Sequence, residues 1–99
     1  MSEMEQHFIE RMLKDTPYYL CFNSKLPDLM VAPMNDGGMG GLTFISKKQD
    51  RKIGLDIASY EFIDDDGVKV IAKLSLDNYG DIYELDVWKT DFSKLIRFP

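Results

Sequence analysis

The chain has 99 residues, of which 44% are hydrophobic and 29% are charged, and its formal net charge is −5. This length and composition predict one folded domain spanning residues 1–99 and argue against a disordered chain. The acidic balance argues against binding of DNA or RNA, since that affinity depends on lysine and arginine displacing counterions. No stretch approaches the roughly 18 apolar residues of a membrane span, so no membrane partner is expected.

Cysteine and histidine are each present once, as Cys21 and His7. A single cysteine excludes an intramolecular disulfide and favours a reducing compartment, and the acidic N-terminus has no apolar run of signal-peptide length. A cytoplasmic location is therefore expected. A zinc site is not expected, nor is any other cofactor. We expect His7 to be exposed on a helix and Cys21 to be buried.

The N-terminal segment predicts an amphipathic helix that ends by Pro17. Ser2 and Glu5 have the Ser-x-x-Glu spacing of a capping box, in which each side chain bonds a free backbone N–H group of the other residue. Apolar residues then recur at helical spacing, namely Met4, Phe8, Ile9, Met12 and Leu13.

Beyond this helix the pattern predicts strands. Three apolar runs are strand candidates, at residues 18–22, 29–34 and 42–45. Pro33 indicates an edge strand or a strand end for the second run. The polar stretch 46–52 is predicted to be a mobile loop, and segment 53–59 fits either a loop or a short helical turn.

The last third of the chain alternates most regularly. Residues 60–63 lead into an Asp-rich turn at 64–67, residues 68–76 present a continuous apolar face, and residues 82–88 return after a second turn. The chain is thus predicted to be α+β, with the N-terminal helix packed on a mostly antiparallel meander of about five strands.

Two registers of the last hairpin are open. A four-residue loop pairs Leu74 with Tyr83 and leaves Glu84 and Asp86 on the polar outer face. A three-residue loop slips the pairing by one residue and turns both carboxylates toward the core, which would build an acidic pocket. Burying two unpaired carboxylates is unfavourable, so the first register is preferred.

Trp88 lies on the outer face in the preferred register, opposite Lys69 and with Lys73 opposite Glu84. An exposed tryptophan among charges is typical of an interface anchor. The alternative is that the C-terminal segment 92–99 folds back and covers it.

Acidic residues concentrate between positions 56 and 91, where ten acids accompany three lysines for a local balance of −7; the remainder balances at +2. This half predicts complementarity to a basic protein partner. The candidate partner-binding residues are Trp88, Glu84, Asp86, Asp64, Asp65 and Asp66. The Asp64–Gly67 turn lacks the alternating oxygens and final Glu of a calcium loop, so no metal site is expected.

A glycine-rich connection is a second region of interest, formed by Asp36, Gly37, Gly38, Met39 and Gly40. A phosphate-binding loop needs a Lys-Ser/Thr ending and a following helix. Because the strand-like run 42–45 follows instead, a turn that needs positive φ is preferred.

Two of these segments carry a family resemblance. The run from Asp36 to Leu42, DGGMGGL, and the run from Tyr83 to Phe92, YELDVWKTDF, resemble a family of small bacterial proteins of unknown function. Members of that family look like DGGMGS followed by ELDxWKxDF, with a D-x-DG turn that Asp64 to Gly67 fits. The resemblance implies a domain family over most of the chain and no established activity.

The sequence leaves three functional hypotheses open. The first is a non-enzymatic protein-binding domain, most specifically an acidic immunity protein or antitoxin that neutralises a basic toxin. The second is an enzymatic or small-ligand domain that uses Glu84 and Asp86 near the Gly37–Gly41 loop and needs the three-residue register. The third is a structural domain that forms a homodimer through Trp88 or an exposed strand edge.

Overall fold

The computed structural model describes all 99 residues and has an α+β fold. Its helices are α1 (Glu3–Leu13), the short α2 (Tyr19–Phe22) and a 3₁₀ helix (Asn23–Asp28). Its strands are β1 (Val31–Pro33), β2 (Leu42–Phe44), β3 (Ile53–Ile63), β4 (Lys69–Asp77) and β5 (Ile82–Lys89). They form one open antiparallel sheet in the order β1-β2-β5-β4-β3, which confirms the predicted fold class.

Helix α1 begins at the predicted capping box. The Ser2 hydroxyl accepts a hydrogen bond from Glu5 N–H at 3.1 Å, and the Glu5 carboxylate accepts one from Ser2 N–H at 2.8 Å. Met4, in the first turn, is exposed rather than part of the buried stripe. The other four stripe residues are buried, namely Phe8, Ile9, Met12 and Leu13. Burial of each of these side chains contributes about 2 kcal/mol.

The strand predicted at 18–22 is wrong, because this segment is helical. Tyr18, Tyr19 and Phe22 are the residues of this segment that pack against the core. Their spacing of i, i+1 and i+4 places them on one side of a helix, whereas a strand would alternate them. The same geometry turns Cys21 outward, so its predicted burial is also wrong.

The strands predicted at 29–34 and 42–45 are confirmed as β1 and β2. β1 is an edge strand and Pro33 ends it, as the missing N–H group of proline requires.

Segment 53–59 is neither loop nor helical turn but the first part of β3. The pairing of β3 with β4 shifts between Ile53 and Asp56 and again between Asp56 and Ala58. Each shift inserts an extra residue into the strand, so the alternation of buried and exposed residues is interrupted in the sequence.

The turn at Asp64–Gly67 and the alternation of β4 are both confirmed. Gly67 takes a φ of 81°, and Gly67 N–H bonds Asp64 C=O at 2.9 Å to close the turn. The apolar face of β4 is buried, with Val70, Ala72, Leu74 and Leu76 all in the core.

The β4–β5 register differs from both predicted registers. Leu74 pairs with Leu85 rather than with Tyr83. This is a shift of two residues from the four-residue prediction, and a shift of two keeps every side chain on its face. Glu84 and Asp86 therefore lie away from the core, as that prediction required.

A bulge at Tyr83 accounts for the difference. The pairing steps from Ser75↔Glu84 to Leu76↔Ile82, so Tyr83 is an extra residue on β5 without a partner on β4. Ile82 is consequently turned into the core, where it is 4% exposed.

One hydrophobic core lies on a single face of the sheet. Phe8 of α1 makes edge-to-face contacts there with Tyr60 and Phe62 of β3 and with Phe98 of the C-terminal segment, at centroid distances of 5.6, 6.0 and 5.1 Å. Leu26 of the 3₁₀ helix completes this core. No helix covers the opposite face, which we call the outer face. None of the helices combines the length and apolar character needed to cross a bilayer.

Candidate functional site

The outer face holds three of the candidate partner-binding residues in an ordered array. Residues opposite each other in antiparallel strands share a face. Three rows therefore run across β3, β4 and β5, namely Asp56-Ser75-Glu84, Ser59-Lys73-Asp86 and Glu61-Ile71-Trp88. Four carboxylates and one lysine stand in these rows, so the face is strongly acidic.

The lysines of the outer face pair with carboxylates at its β3 edge. Lys73 Nζ lies 3.9 Å from Asp56 and Lys69 Nζ lies 3.4 Å from Glu61. Both pairs are about half exposed and contribute little to stability. The predicted pairing of Lys73 with Glu84 is wrong, because the two-residue shift places Asp86 opposite Lys73 instead.

Glu84 and Asp86 are left without a salt bridge. Both side chains are half-buried. Burial raises the pKa of Glu84, and repulsion from Asp86 and Asp56 adds to the increase. Burial likewise raises the pKa of Asp86, reinforced by Asp36 and Asp56 and opposed by Lys73. The charges of these two carboxylates therefore raise the free energy of the folded chain, and a cation supplied by a partner would lower it.

Trp88 is half-buried beside Asp86 on the same face. Its partner on β4 is Ile71, so the predicted contact with Lys69 is wrong; instead Lys73 Nζ lies 6.0 Å from its ring centroid. The alternative, in which segment 92–99 folds back over Trp88, does not describe the structure: Leu95 and Phe98 of that segment pack against the core, and Phe92 lies beside the indole.

A shallow hollow of about 310 Å³ lies between Asp86, Trp88 and Phe92. Phe92 is 76% exposed and has a φ of 60°, in the left-handed region that aromatic residues rarely adopt. Phe92 N–H donates to Lys89 C=O at 3.0 Å and closes this turn.

The Asp-rich turn has a structural role that its sequence, which is typical of a solvent-exposed turn, does not indicate. Lys89 is fully buried and lies 2.9 Å from Asp64 and 2.5 Å from Asp66. Burial would lower the pKa of Lys89, but the two hydrogen-bonded carboxylates raise it above its usual range. The lysine is therefore held charged inside the protein.

Asp64 also fixes the C-terminal segment. Its carboxylate accepts hydrogen bonds from the N–H groups of Ile96 at 2.8 Å, Arg97 at 3.0 Å and Asp65 at 2.8 Å. Burial alone would raise the pKa of Asp64, but these bonds and Lys89 hold it well below its usual range. Asp64 is 4% exposed, so its assignment to a partner surface is corrected.

The other two aspartates of the turn differ in accessibility. Asp66 is one-third exposed and engaged with Lys89. Asp65 is half-exposed, at 3.9 Å from Arg97. Neither stands on the outer face with Trp88, because both belong to the turn that follows β3.

The glycine-rich loop is a turn of positive φ, as preferred. Gly37, Gly38 and Gly40 have φ values of 74°, 84° and 90°. The Asp36 carboxylate accepts hydrogen bonds from Met39 N–H at 3.0 Å and from Gly41 N–H at 2.9 Å. Two backbone donors that a phosphate would need are thus already bound.

Arg51 was missed by the sequence analysis. It lies in the stretch predicted to be a mobile loop, yet its guanidinium donates to Asp77 at 2.7 Å and to the carbonyl oxygens of Phe44 at 2.6 Å and Ile82 at 3.0 Å. Burial would raise the pKa of Asp77, but the Arg51 bond and two backbone N–H groups lower it. A single arginine within a polar run carries no pattern that could have revealed this contact.

No cavity is lined by both Glu84 and Asp86. No group of three or more His, Cys, Asp or Glu side chains is arranged to hold a metal ion.

Comparison with known proteins agrees with the expected membership of a domain family of unknown function. No curated protein and no solved structure matches the chain significantly. A family described as a domain of unknown function, DUF6984, matches residues 1–99. The chain therefore belongs to the DUF6984 family of domains of unknown function.

Proposed function

We propose that this chain is a cytoplasmic, non-enzymatic binding domain whose outer face docks a basic protein. One observation carries the proposal: Glu84 and Asp86 stand side by side, half-buried, on an open sheet face that gives neither of them a salt bridge. A basic partner would place cations against both, and the relief of their repulsion favours the bound state.

The most specific form of the proposal is an immunity protein or antitoxin that neutralises a basic toxin. Its support is the small acidic domain, the aromatic Trp88 beside Asp86 on the acidic face, and the absence of a cavity lined by both carboxylates. The enzymatic alternative has less support, because it needed Glu84 and Asp86 on the core face in a shared pocket.

Affinity capture from an extract of the source organism tests the proposal. The bait is compared with a Glu84→Gln/Asp86→Asn variant and with a matched Asp15→Asn/Asp28→Asn control, whose acids are exposed and form no ion pair. We expect the bait and the control to retain the same basic protein. The outer-face variant should bind that protein at least about tenfold more weakly. Equal retention by the outer-face variant would contradict docking at this face.

Co-expression tests the toxin reading separately. Production of the captured protein alone should stop growth, and this chain should restore it. A partner that leaves growth unchanged would contradict the toxin hypothesis but not the proposal that this chain binds a basic protein. Reading frames adjacent to this one should include a basic toxin.

The homodimer alternative has one observation in its favour. β3 is an edge strand of 11 residues, and Ile53, Leu55 and Ile63 on it are more than half exposed. Its two bulges interrupt a regular edge, which works against strand addition. Light scattering at increasing concentration should show a monomer if the bulges protect this edge.

A further inference from the structure

We infer that the hollow between Trp88, Phe92 and Asp86 receives a single arginine side chain. This inference rests on the proposed function, because it names the group through which a basic partner would engage the outer face. The hollow combines two aromatic rings with one carboxylate, and no cation of this chain lines it.

The aromatic walls match the chemistry of a guanidinium group. Arginine is planar and weakly hydrated, so it stacks on an indole face more readily than the compact lysine ammonium does. Trp88 supplies the indole, and Phe92 supplies a second ring that is 76% exposed. A phenylalanine this exposed buries little of its ring in the free chain, but it would form one wall of a filled hollow.

The carboxylate supplies direction as well as charge. A guanidinium can donate two parallel N–H bonds to one carboxylate, and such forked bonds fix the orientation of the arginine. Asp86 has no salt bridge, and its neighbours Asp36 and Asp56 add negative potential that raises its pKa. An arriving cation would therefore find a carboxylate without a salt bridge among the residues that line the aromatic hollow.

Lys73 does not take this place. Its Nζ lies 3.9 Å from Asp56 and 6.0 Å from the centroid of the Trp88 ring, and it is not among the residues around the hollow. Lys73 therefore approaches the indole without filling the space beside Phe92.

Short peptides test the inference directly. The probes are acetyl-Gly-Arg-Gly-amide and its lysine and citrulline counterparts, citrulline being an uncharged analogue of arginine. Trp88 is the only tryptophan, so its indole N–H resonance and fluorescence report on the hollow alone. We expect the arginine peptide to shift the resonance with a Kd on the order of 1 mM, and the lysine peptide to bind several-fold more weakly.

Matched variants separate the contributions. Asp86→Asn should weaken arginine binding about tenfold and Phe92→Ala about threefold, whereas Asp65→Asn and Ile63→Ala should leave it unchanged. Citrulline binding as tightly as arginine, lysine binding as tightly as arginine, or full binding by Asp86→Asn would each overturn the inference.

The two proposals can fail independently. A captured basic partner that binds Phe92→Ala and Asp86→Asn as tightly as the parent would remove the arginine hollow and leave docking through Glu84 and the rest of the face. Arginine-peptide binding without any basic partner would support the hollow and count against the proposed function.

Discussion

The two faces of the sheet treat buried charge in opposite ways. On the core side Lys89 and Asp64 are almost completely buried, and each has partners within the chain. On the outer face Glu84 and Asp86 are less buried but have no salt bridge. The contrast separates charges that build the fold from charges that are available to a partner. Burial alone does not identify the charges that lack a partner, because the most deeply buried ones are the best paired.

The pKa directions express the same difference. The pKa of Asp64 lies below its usual range because its hydrogen bonds favour the charged form. The pKa values of Glu84 and Asp86 lie above theirs because burial and like charges disfavour it. Removing the charge of Asp64 should therefore destabilise the folded chain, whereas removing the charge of Glu84 or Asp86 should stabilise it.

Lys89→Met gives the largest expected effect. It leaves Asp64, whose carboxylate holds the C-terminal segment, buried without its cation, and it leaves Asp66 without its lysine partner. Removing one partner of a buried ion pair is strongly destabilising, so we expect the Tm to fall by on the order of 15 °C. Circular dichroism on heating measures it, with Lys94→Met as the exposed control. A loss no larger than that of the control would mean that Lys89 is not structural.

Arg51→Met should have the next largest effect. It removes three hydrogen bonds and leaves Asp77 buried without a cation, at an expected cost of about 2–3 kcal/mol. Urea denaturation measures the change, with the exposed Lys52→Met as the matched control. If the segment 46–52 were as mobile as its sequence suggests, both variants would unfold at the same urea concentration.

Sequence patterns were most informative where one face of an element is buried. The capping box, the stripe of α1 and the alternation of β4 depend on local spacing, and all three could be predicted. The helix at 18–22 was missed because five residues satisfy both periods, and the start of β3 was missed because bulges interrupt its alternation.

The candidate site was predicted only in part. Trp88, Glu84 and Asp86 could be placed on the outer face because a shift of two residues preserves facing. Their partners across the strands could not be placed, since the Tyr83 bulge leaves no sequence signal that fixes its position. The buried role of Asp64 depends on Lys89 and Ile96, which are 25 and 32 residues away, and no local pattern indicates such contacts.

The smallest expected effect is the most specific to the outer face. Asp86→Asn should stabilise the folded chain at pH 7 by about 0.5 kcal/mol, a small gain because solvent screens an open face. A carboxyl whose folded pKa is raised destabilises the fold above that pKa. This cost disappears as pH falls toward the ordinary value of 3.8, where the folded state binds the proton first.

The advantage of Asp86→Asn should therefore vanish between pH 7 and about pH 4. Over the lowest part of that range and below it, both proteins lose stability together as Asp64 and Asp77, whose folded pKa values are depressed, take up protons on unfolding. Urea denaturation across this range measures the difference, with Asp65→Asn as the control. A variant less stable than the parent at pH 7 would show that Asp86 is partnered within the chain and would place it with the charges that build the fold. A difference that stays constant with pH would show that the folded pKa of Asp86 is not raised.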